Sequence, residues 1–277
     1  MIPAPFEYQR VGSVDQAIQV LSDDPEAKIL AGGHSLLPLM RVRLSRPSKL
    51  VDITRIEDLK YVREEDDHVA IGALTRHHDV ANSEALRELC PIVAHTAEGI
   101  GDPQVRHVGT IGGSVAHADP ASDMPAVLVA LDAEMIVRGP DGALRTVGAT
   151  DFFKGLFEPD LAHNEILTEI RVPKTSGRGW SYVKFHRRSQ DWALVGVAAL
   201  LANGGPPAVA LTNMADRPIR AAGVEEALAG GADPAAAGER GAEGTSPPTD
   251  AFGSAGYRQE LVKVLVRRAI EEAASRS

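Results

Sequence analysis

The residues best suited to hold a phosphorylated ligand are two glycine pairs, each followed within two positions by a hydroxyl. The first lies in Leu30-Ala31-Gly32-Gly33-His34-Ser35-Leu36-Leu37 and the second in Thr110-Ile111-Gly112-Gly113-Ser114. Adjacent glycines let the backbone turn sharply and let another group approach closely. Successive amide N–H groups in such a turn point into one concavity, which suits an anion such as a diphosphate. Two such loops could hold its two ends. Neither is a P-loop, because no Gly-Lys-Ser/Thr follows, and neither has the G-x-G-x-x-G spacing of a Rossmann turn. Behind the second pair come Asp119-Pro120 and Asp123. Asp119, preceding a proline, reads as a turn-forming carboxylate and not a general base.

The histidines are less specific. His34 either faces a ligand or solvent, ligates a metal, or anchors a ligand covalently. A metal is disfavoured because no second ligand sits at the usual spacing. His77-His78 and the His107/His117 couple resemble metal pairs, but adjacent histidines in a regular element diverge, so surface or hydrogen-bonding roles are expected. Cys90 is the only cysteine. It excludes an internal disulfide and a cysteine-ligated iron–sulfur cluster held by this chain alone, and reads as a small buried hydrophobe. No nucleophile, general base or metal site is nominated.

The elements that must position these residues belong to a chain of 277 residues with net charge −9, too acidic for a nucleic-acid binder. No apolar run is long enough to span a bilayer. No basic region followed by an apolar core opens the chain, so a cytoplasmic location is the expectation. Residues 1–55 read as β-α-β: a strand at Phe6–Tyr8, a helix opened by a Ser13/Gln16 capping box, a buried strand at Lys28–Leu30 running into the first glycine loop, a short helix over 36–44, and a strand at Leu50–Ile53. Arg55–Asp67 reads as a charged surface connection. Residues 56–173 carry a strand at Val69–Gly72, a helix capped by Thr75, a helix over Glu84–Gly99 broken at Pro91, a turn at Gly101–Arg106, and an apolar helix over Met124–Leu131. A hairpin about Pro140-Asp141-Gly142 and a strand ending at Pro173 complete that segment. Residues 174–277 carry three strands (Trp180–Arg187, Ala193–Ala202, Ala208–Asn213), the last two joined by Asn203-Gly204-Gly205-Pro206-Pro207. A helix over 221–229, a surface loop over 230–250 and a closing helix over Tyr257–Ala274 follow, the last with Leu261, Val264, Leu265 and Ala269 on one face. Lys263, Arg267 and Arg268 form its solvated or partner-facing side.

Taken together, Ala31-Gly32-Gly33-His34-Ser35-Leu36-Leu37-Pro38-Leu39-Met40, Gly101-Asp102-Pro103-Gln104-Val105-Arg106, Thr110-Ile111-Gly112-Gly113-Ser114 and Ala118-Asp119-Pro120-Ala121-Ser122-Asp123 resemble the FAD-binding medium subunit of the molybdenum hydroxylases. That is the xanthine dehydrogenase and aerobic carbon monoxide dehydrogenase family. The resemblance runs through Glu165-Ile166-Leu167, Lys184, the Arg187-to-Trp192 loop and Gly253-Ser254-Ala255-Gly256-Tyr257-Arg258. It implies an α+β, non-Rossmann FAD-binding fold of two α/β subdomains plus a C-terminal domain with a three-stranded antiparallel sheet and helices. It implies a dimer of heterotrimers, in which a large subunit holds a molybdenum–pterin and a small subunit holds two [2Fe–2S] clusters. The medium subunit takes electrons on FAD and passes them to an external acceptor.

Residue by residue, the resemblance implies that Leu30, Ala31, Gly32, Gly33, His34, Ser35, Leu36 and Leu37, with Thr110, Ile111, Gly112, Gly113 and Ser114, contact the diphosphate and ribityl chain. Asp123 contacts FAD through its carboxylate, and Ile100 and Leu167 through apolar or backbone groups. Lys184 offsets negative charge, unless it is a solvated surface lysine. Trp192 covers the flavin ring and controls access to it, unless it is a core residue. Ser114 stands where many xanthine dehydrogenases have Asn, which weakens any specific expectation of xanthine oxidation. A stand-alone flavin-dependent oxidase, and an assembly module that has lost FAD, are the alternatives.

Overall fold

The computed structural model describes residues 2–201 and 205–276. Its first sheet follows from one capped amphipathic helix between two short strands. Ser13 Oγ accepts the Gln16 N–H at 3.2 Å, and Gln16 Oε1 accepts the Gly12 N–H, one residue earlier than in the standard box. Helix Val14–Asp23 then buries Val14, Ala17, Ile18 and Leu21. Crossovers of this kind make neighbouring strands parallel. Strand Lys49–Asp52 accordingly lies between Glu7–Arg10 and Lys28–Leu30, parallel to both. Lys28–Leu30 is half-exposed and not buried as its sequence suggests, because it is an edge strand and its outer side lines a cleft. The short helix expected over 36–44 runs Leu36–Arg41.

A five-stranded antiparallel sheet follows, in the order Val62–Glu64, His68–Gly72, Ile166–Pro173, Glu134–Arg138, Leu144–Gly148. The last two strands form the expected hairpin, with Asp141 and Gly142 at φ +56° and +74°. The charged 55–67 stretch is more ordered than its composition suggests. It contributes the edge strand Val62–Glu64 and a helical turn, Glu57–Leu59, that buries Leu59. Thr75 is not a helix cap. Its hydroxyl exchanges two hydrogen bonds with the Tyr61 backbone, and the helix starts later, at His77–Asn82. Pro91 divides Glu84–Leu89 from Pro91–Glu98, as a residue with no N–H to donate must. Gly101–Arg106 is a single helical turn, Pro103–Arg106, capped by Asp102. The Asp119 carboxylate accepts the Ala121 N–H at 2.9 Å, which makes it the turn former expected. Helix Asp123–Ala130 is apolar all round after its first residue and buried at all eight positions.

The C-terminal sheet has four antiparallel strands, not three: Trp180–Phe185, Val195–Leu200, Ala208–Thr212 and Ile219–Arg220. The additional strand is two residues long, too short to leave a period-two signal. Both faces of this sheet are covered. Tyr182, Ala198, Leu200, Ala208 and Ala210 join the core of the five-stranded sheet. Val195, Val197, Ala199, Val209 and Leu211 pack on the closing helix, Ala255–Ala274. The expectations that fall on Ala202, Asn203 and Gly204 lie outside the described residues. Two expectations are corrected here. Residues 230–250 are not one loop: Asp233 caps helix Pro234–Glu239, whose Ala237 is fully buried. The closing helix is therefore covered on two sides and rotated from the expected face. It buries Val262, Leu265, Val266, Ala269, Ile270 and Ala273 and leaves Val264 40 % exposed.

Candidate functional site

A cleft of about 730 Å³ opens where the edge strand Lys28–Leu30, the start of helix Ile111–His117, the 157–165 segment and strand Trp180–Phe185 face one another. The first glycine pair forms one wall. The amides of Gly32, Gly33, His34, Ser35 and Leu36 have no acceptor among the described residues, so five successive donors are unspent. Gly33 adopts φ +71°, which an L side chain rarely does. A Cβ on Gly32 would lie 2.5 Å from Val108 O and 2.7 Å from Gly109 Cα. Only glycine lets this loop press against the backbone that leads into the second pair.

The second pair works differently. Thr110 caps helix Ile111–His117, its Oγ1 accepting the Gly113 N–H at 3.2 Å. The Ile111 amide donates to Thr75 O, Gly112 to Ala73 O and Ser114 to Thr110 O. These four amides are already used, so the expectation that both loops present free donors to an anion is corrected. The second pair is the first turn of a helix and satisfies its own backbone. Gly112 faces inward, where a Cβ would meet Ala73 at 2.5–2.7 Å. Gly113 faces the cleft, opposite Ala31.

Of the residues singled out in sequence, Ala31, Gly32, Gly33, His34, Ser35, Leu36, Ile100, Thr110, Gly113, Ser114, Asp123, Lys184 and Trp192 line the cleft. Five are not in its wall. Ile111, Gly112 and Leu167 are buried behind it, Leu30 lies against Gly33, and Leu37 is 40 % exposed on the outside of its helix. Trp192 is 69 % exposed at the rim, which removes the core alternative. Lys184 is the opposite case. It is not a solvated lysine, since its side chain is 10 % exposed and its Nζ lies 2.8 Å from Asp123 Oδ2. Tyr182 OH donates to Asp123 Oδ1 at 2.7 Å. Burial pushes the Asp123 carboxyl upward, against the opposing pull of Lys184 and Tyr182. Burial and the nearby carboxylate raise the Tyr182 phenol well above its ordinary range, so it stays a neutral donor.

The histidines separate by burial. His34 is exposed, with Nδ1 3.0 Å from Gly32 O. For His77 a surface or hydrogen-bonding role is the expectation, yet it is buried under Gly109 and its Nδ1 has no partner. Burial, with Arg106 and His34 nearby, lowers it to about 4, so it is a neutral imidazole at the cleft wall. His78 stacks on His107 at 4.0 Å between centroids, an arrangement that turns both sets of lone pairs away from a common point. Among the described residues no group of three or more metal-ligating side chains exists. Cys90 is fully buried and its thiol is pushed up to about 12, which makes it inert at neutral pH.

Sequence reasoning missed the wall contributed by His117, Phe157, Leu161 and Ala162. His117 stands 5.0 Å from Phe157, which sits at φ +57°. The available signal was the exposed Leu156-Phe157 pair in a tight hairpin, where an apolar tip has no core to join.

A row of unpaired amides, a left-handed glycine, an orphaned buried imidazole nitrogen and a cavity of ligand-binding size fit an elongated anionic dinucleotide. Fold and site therefore define a dinucleotide-binding protein outside the Rossmann class. The family model described as "FAD binding domain in molybdopterin dehydrogenase" matches residues 4–175, and "CO dehydrogenase flavoprotein C-terminal domain" matches 180–273. The chain is 40% identical to the carbon monoxide dehydrogenase medium chain of Hydrogenophaga pseudoflava over 100% of its own length and 99% of that protein's. It is 39% identical to the glyceraldehyde dehydrogenase medium chain of Sulfolobus acidocaldarius, over 99% and 100% of the two chains. It also superimposes on a chain of the solved H. pseudoflava carbon monoxide dehydrogenase lacking the Mo-pyranopterin moiety, with TM-score 0.96 and 41% identity over 100% and 99% of the two chains. The protein belongs to the FAD-binding medium subunits of the carbon monoxide dehydrogenase/xanthine dehydrogenase family, and so is a subunit of a molybdenum-containing oxidoreductase. No helix among the described residues is long and apolar enough to cross a membrane.

Proposed function

We propose that this chain is the electron-output subunit of a cytoplasmic dimer of heterotrimers. In this reading it takes electrons from two [2Fe–2S] clusters on a small subunit, reduced in turn by a large molybdenum–pterin subunit, and passes them to an external acceptor. FAD, when bound, supplies the conversion between single-electron delivery and two-electron release. The protein supplies position and electrostatics. The amides of Gly32–Leu36 would hold the diphosphate, with Thr110, Gly113 and Ser114 on the facing wall. Asp123 would hold the cofactor through its carboxylate and Ile100 through apolar or backbone groups, whereas Leu167 backs the wall from behind. Lys184 supplies a cation, and Trp192 at the rim limits what reaches the ring. In domain terms, residues 1–55 and 56–173 carry the cofactor and 174–277 closes over it.

The single observation that carries this reading is the row of five unpaired amides on a cleft wall. The substrate is a matter for the large subunit. Relatives at 40% and 39% identity are named for carbon monoxide and glyceraldehyde, so the medium chain follows the cofactor and not the substrate. The test is an absorbance spectrum of the complex purified from co-expressed subunits, before and after acid precipitation. Flavin released into the supernatant, beside an iron–sulfur shoulder, is the expected result. Flavin left in the pellet would point to a covalent link at His34 and the stand-alone oxidase. A complex without flavin would overturn the proposal.

A further inference from the structure

The face of the C-terminal sheet that turns toward the five-stranded sheet carries a polar row that the cofactor contacts alone do not explain. The strand register places Lys184 beside Gly196 and Gly196 beside Thr212. Tyr182 lies two residues before Lys184, on the same face of its strand. Its ring is buried, and its hydroxyl sits 2.7 Å from Asp123 Oδ1 and 3.3 Å from Thr212 Oγ1. Gly196 is what makes this possible. A Cβ there would stand 2.6 Å from Tyr182 OH and 3.0 Å from Thr212 Cβ. A glycine at the second strand position otherwise weakens a strand, so its presence marks a close approach.

We infer that Tyr182 is a positioning residue for the cofactor site: its hydroxyl, given room by Gly196, fixes the Asp123 carboxylate and through it the Lys184 ammonium at the cleft wall. The inference rests on flavin occupying this cleft. Asp123 has one oxygen for each partner, Oδ1 for Tyr182 and Oδ2 for Lys184. Both sides of the carboxylate are thus held, and it cannot rotate without breaking a bond to a buried group. Lys184 and Tyr182 face it from one strand, Thr212 adjoins the phenol from another, and His186 acts on it from just beyond the first strand's end. Removing the phenolic donor withdraws support from the charged carboxylate alone, which favours its protonated form. Lys184 then loses its counterion, and the site loses its fixed acceptor.

The experiment compares the co-purified complex bearing wild-type chain, Tyr182→Phe, Gly196→Ala and the double variant. The readout is flavin retained per chain after gel filtration across an acid-to-neutral pH series. Tyr182→Phe is expected to weaken retention about tenfold, the usual scale for a lost hydrogen bond to a charged group. It should also move the acid limb of the retention curve to higher pH. Gly196→Ala should shift that limb the same way, and the double variant should add little, because both changes act on one hydroxyl. A Tyr182→Phe curve that overlays wild type overturns the inference, as does a loss equal at every pH, which would indicate packing alone. If Gly196→Ala does not assemble, Tyr182→Phe decides by itself. A wild-type complex without flavin overturns the occupancy of the cleft and this inference with it.

Discussion

Gly112 and Gly113 are adjacent in sequence, yet the structure gives them different jobs, and a methyl group separates them. On Gly112 the added Cβ would lie 2.5 Å from Ala73 Cβ, 2.6 Å from Ala73 O and 2.7 Å from Ala73 Cα. Ordinary contact is about 3.5–4.0 Å, so helix and strand end must part by roughly 1 Å. That movement loosens the Gly112 N–H bond to Ala73 O and the Ile111 N–H bond to Thr75 O, 2.9 and 3.0 Å long. Overpacking costs about 1–3 kcal/mol and each of the two hydrogen bonds about 1 kcal/mol, so Gly112→Ala should cost about 3–5 kcal/mol. On Gly113 the close neighbour is Thr110 Oγ1 at 2.8 Å, with Ala31 Cβ at a comfortable 3.7 Å. There the threonine can rotate away, and the loss is one N-cap, about 1 kcal/mol. Urea unfolding of the chain should separate the two midpoints by about 1 M at a slope of about 2–3 kcal/mol/M. Flavin retention should rank them in reverse: folded Gly112→Ala keeps its flavin, whereas Gly113→Ala, with a methyl in the cleft, loses it. Equal midpoints, or Gly113→Ala the less stable, would refute the assignment of inward and outward faces.

Two further outcomes follow from burial and exposure. His77 is neutral in the fold, lowered from 6.5 to about 4, so the unfolded chain binds a proton that the folded chain refuses between those values. Stability is therefore complete above pH 6.5 and falls as pH drops toward 4, by about 3 kcal/mol in all. His77→Gln should flatten the slope of the urea midpoint between pH 6.5 and 5, where ordinary carboxylates do not titrate; an unchanged slope would show that the histidine is not the proton acceptor. Trp192→Ala removes a rim side chain that is 69 % exposed, so the melting temperature should hold, with a change within about 0.5 kcal/mol. Iodide quenching of the bound flavin's fluorescence should rise, and equal quenching would argue that the indole does not restrict access.

Much of the fold was legible because it is written in local chemistry. Ser13 with Gln16, Pro91 between two helices, and Pro140-Asp141-Gly142 between two strands each announce themselves within four residues. Thr75 misled because a hydroxyl before a helical run is a cap only if no distant backbone claims it first, and the Tyr61 backbone does. Val264 misled for a related reason. The closing helix offers two apolar stripes, and helix Pro234–Glu239, hidden in a stretch of Ala, Gly and Pro, decides which one turns inward. The site shows the same division between local permission and distant decision. Glycine pairs say that a backbone is free to turn or be approached, and here three of the four glycines use that freedom differently. Gly33 adopts a left-handed φ, Gly32 accepts the backbone of Val108 and Gly109, and Gly112 accepts Ala73. Only the first pair leaves its amides unspent, because no strand edge or cap reaches them. This is why the proposed reading gives the anion-binding role chiefly to Gly32–Leu36 and makes the 110–114 stretch, whose amides are spent, a rigid facing wall.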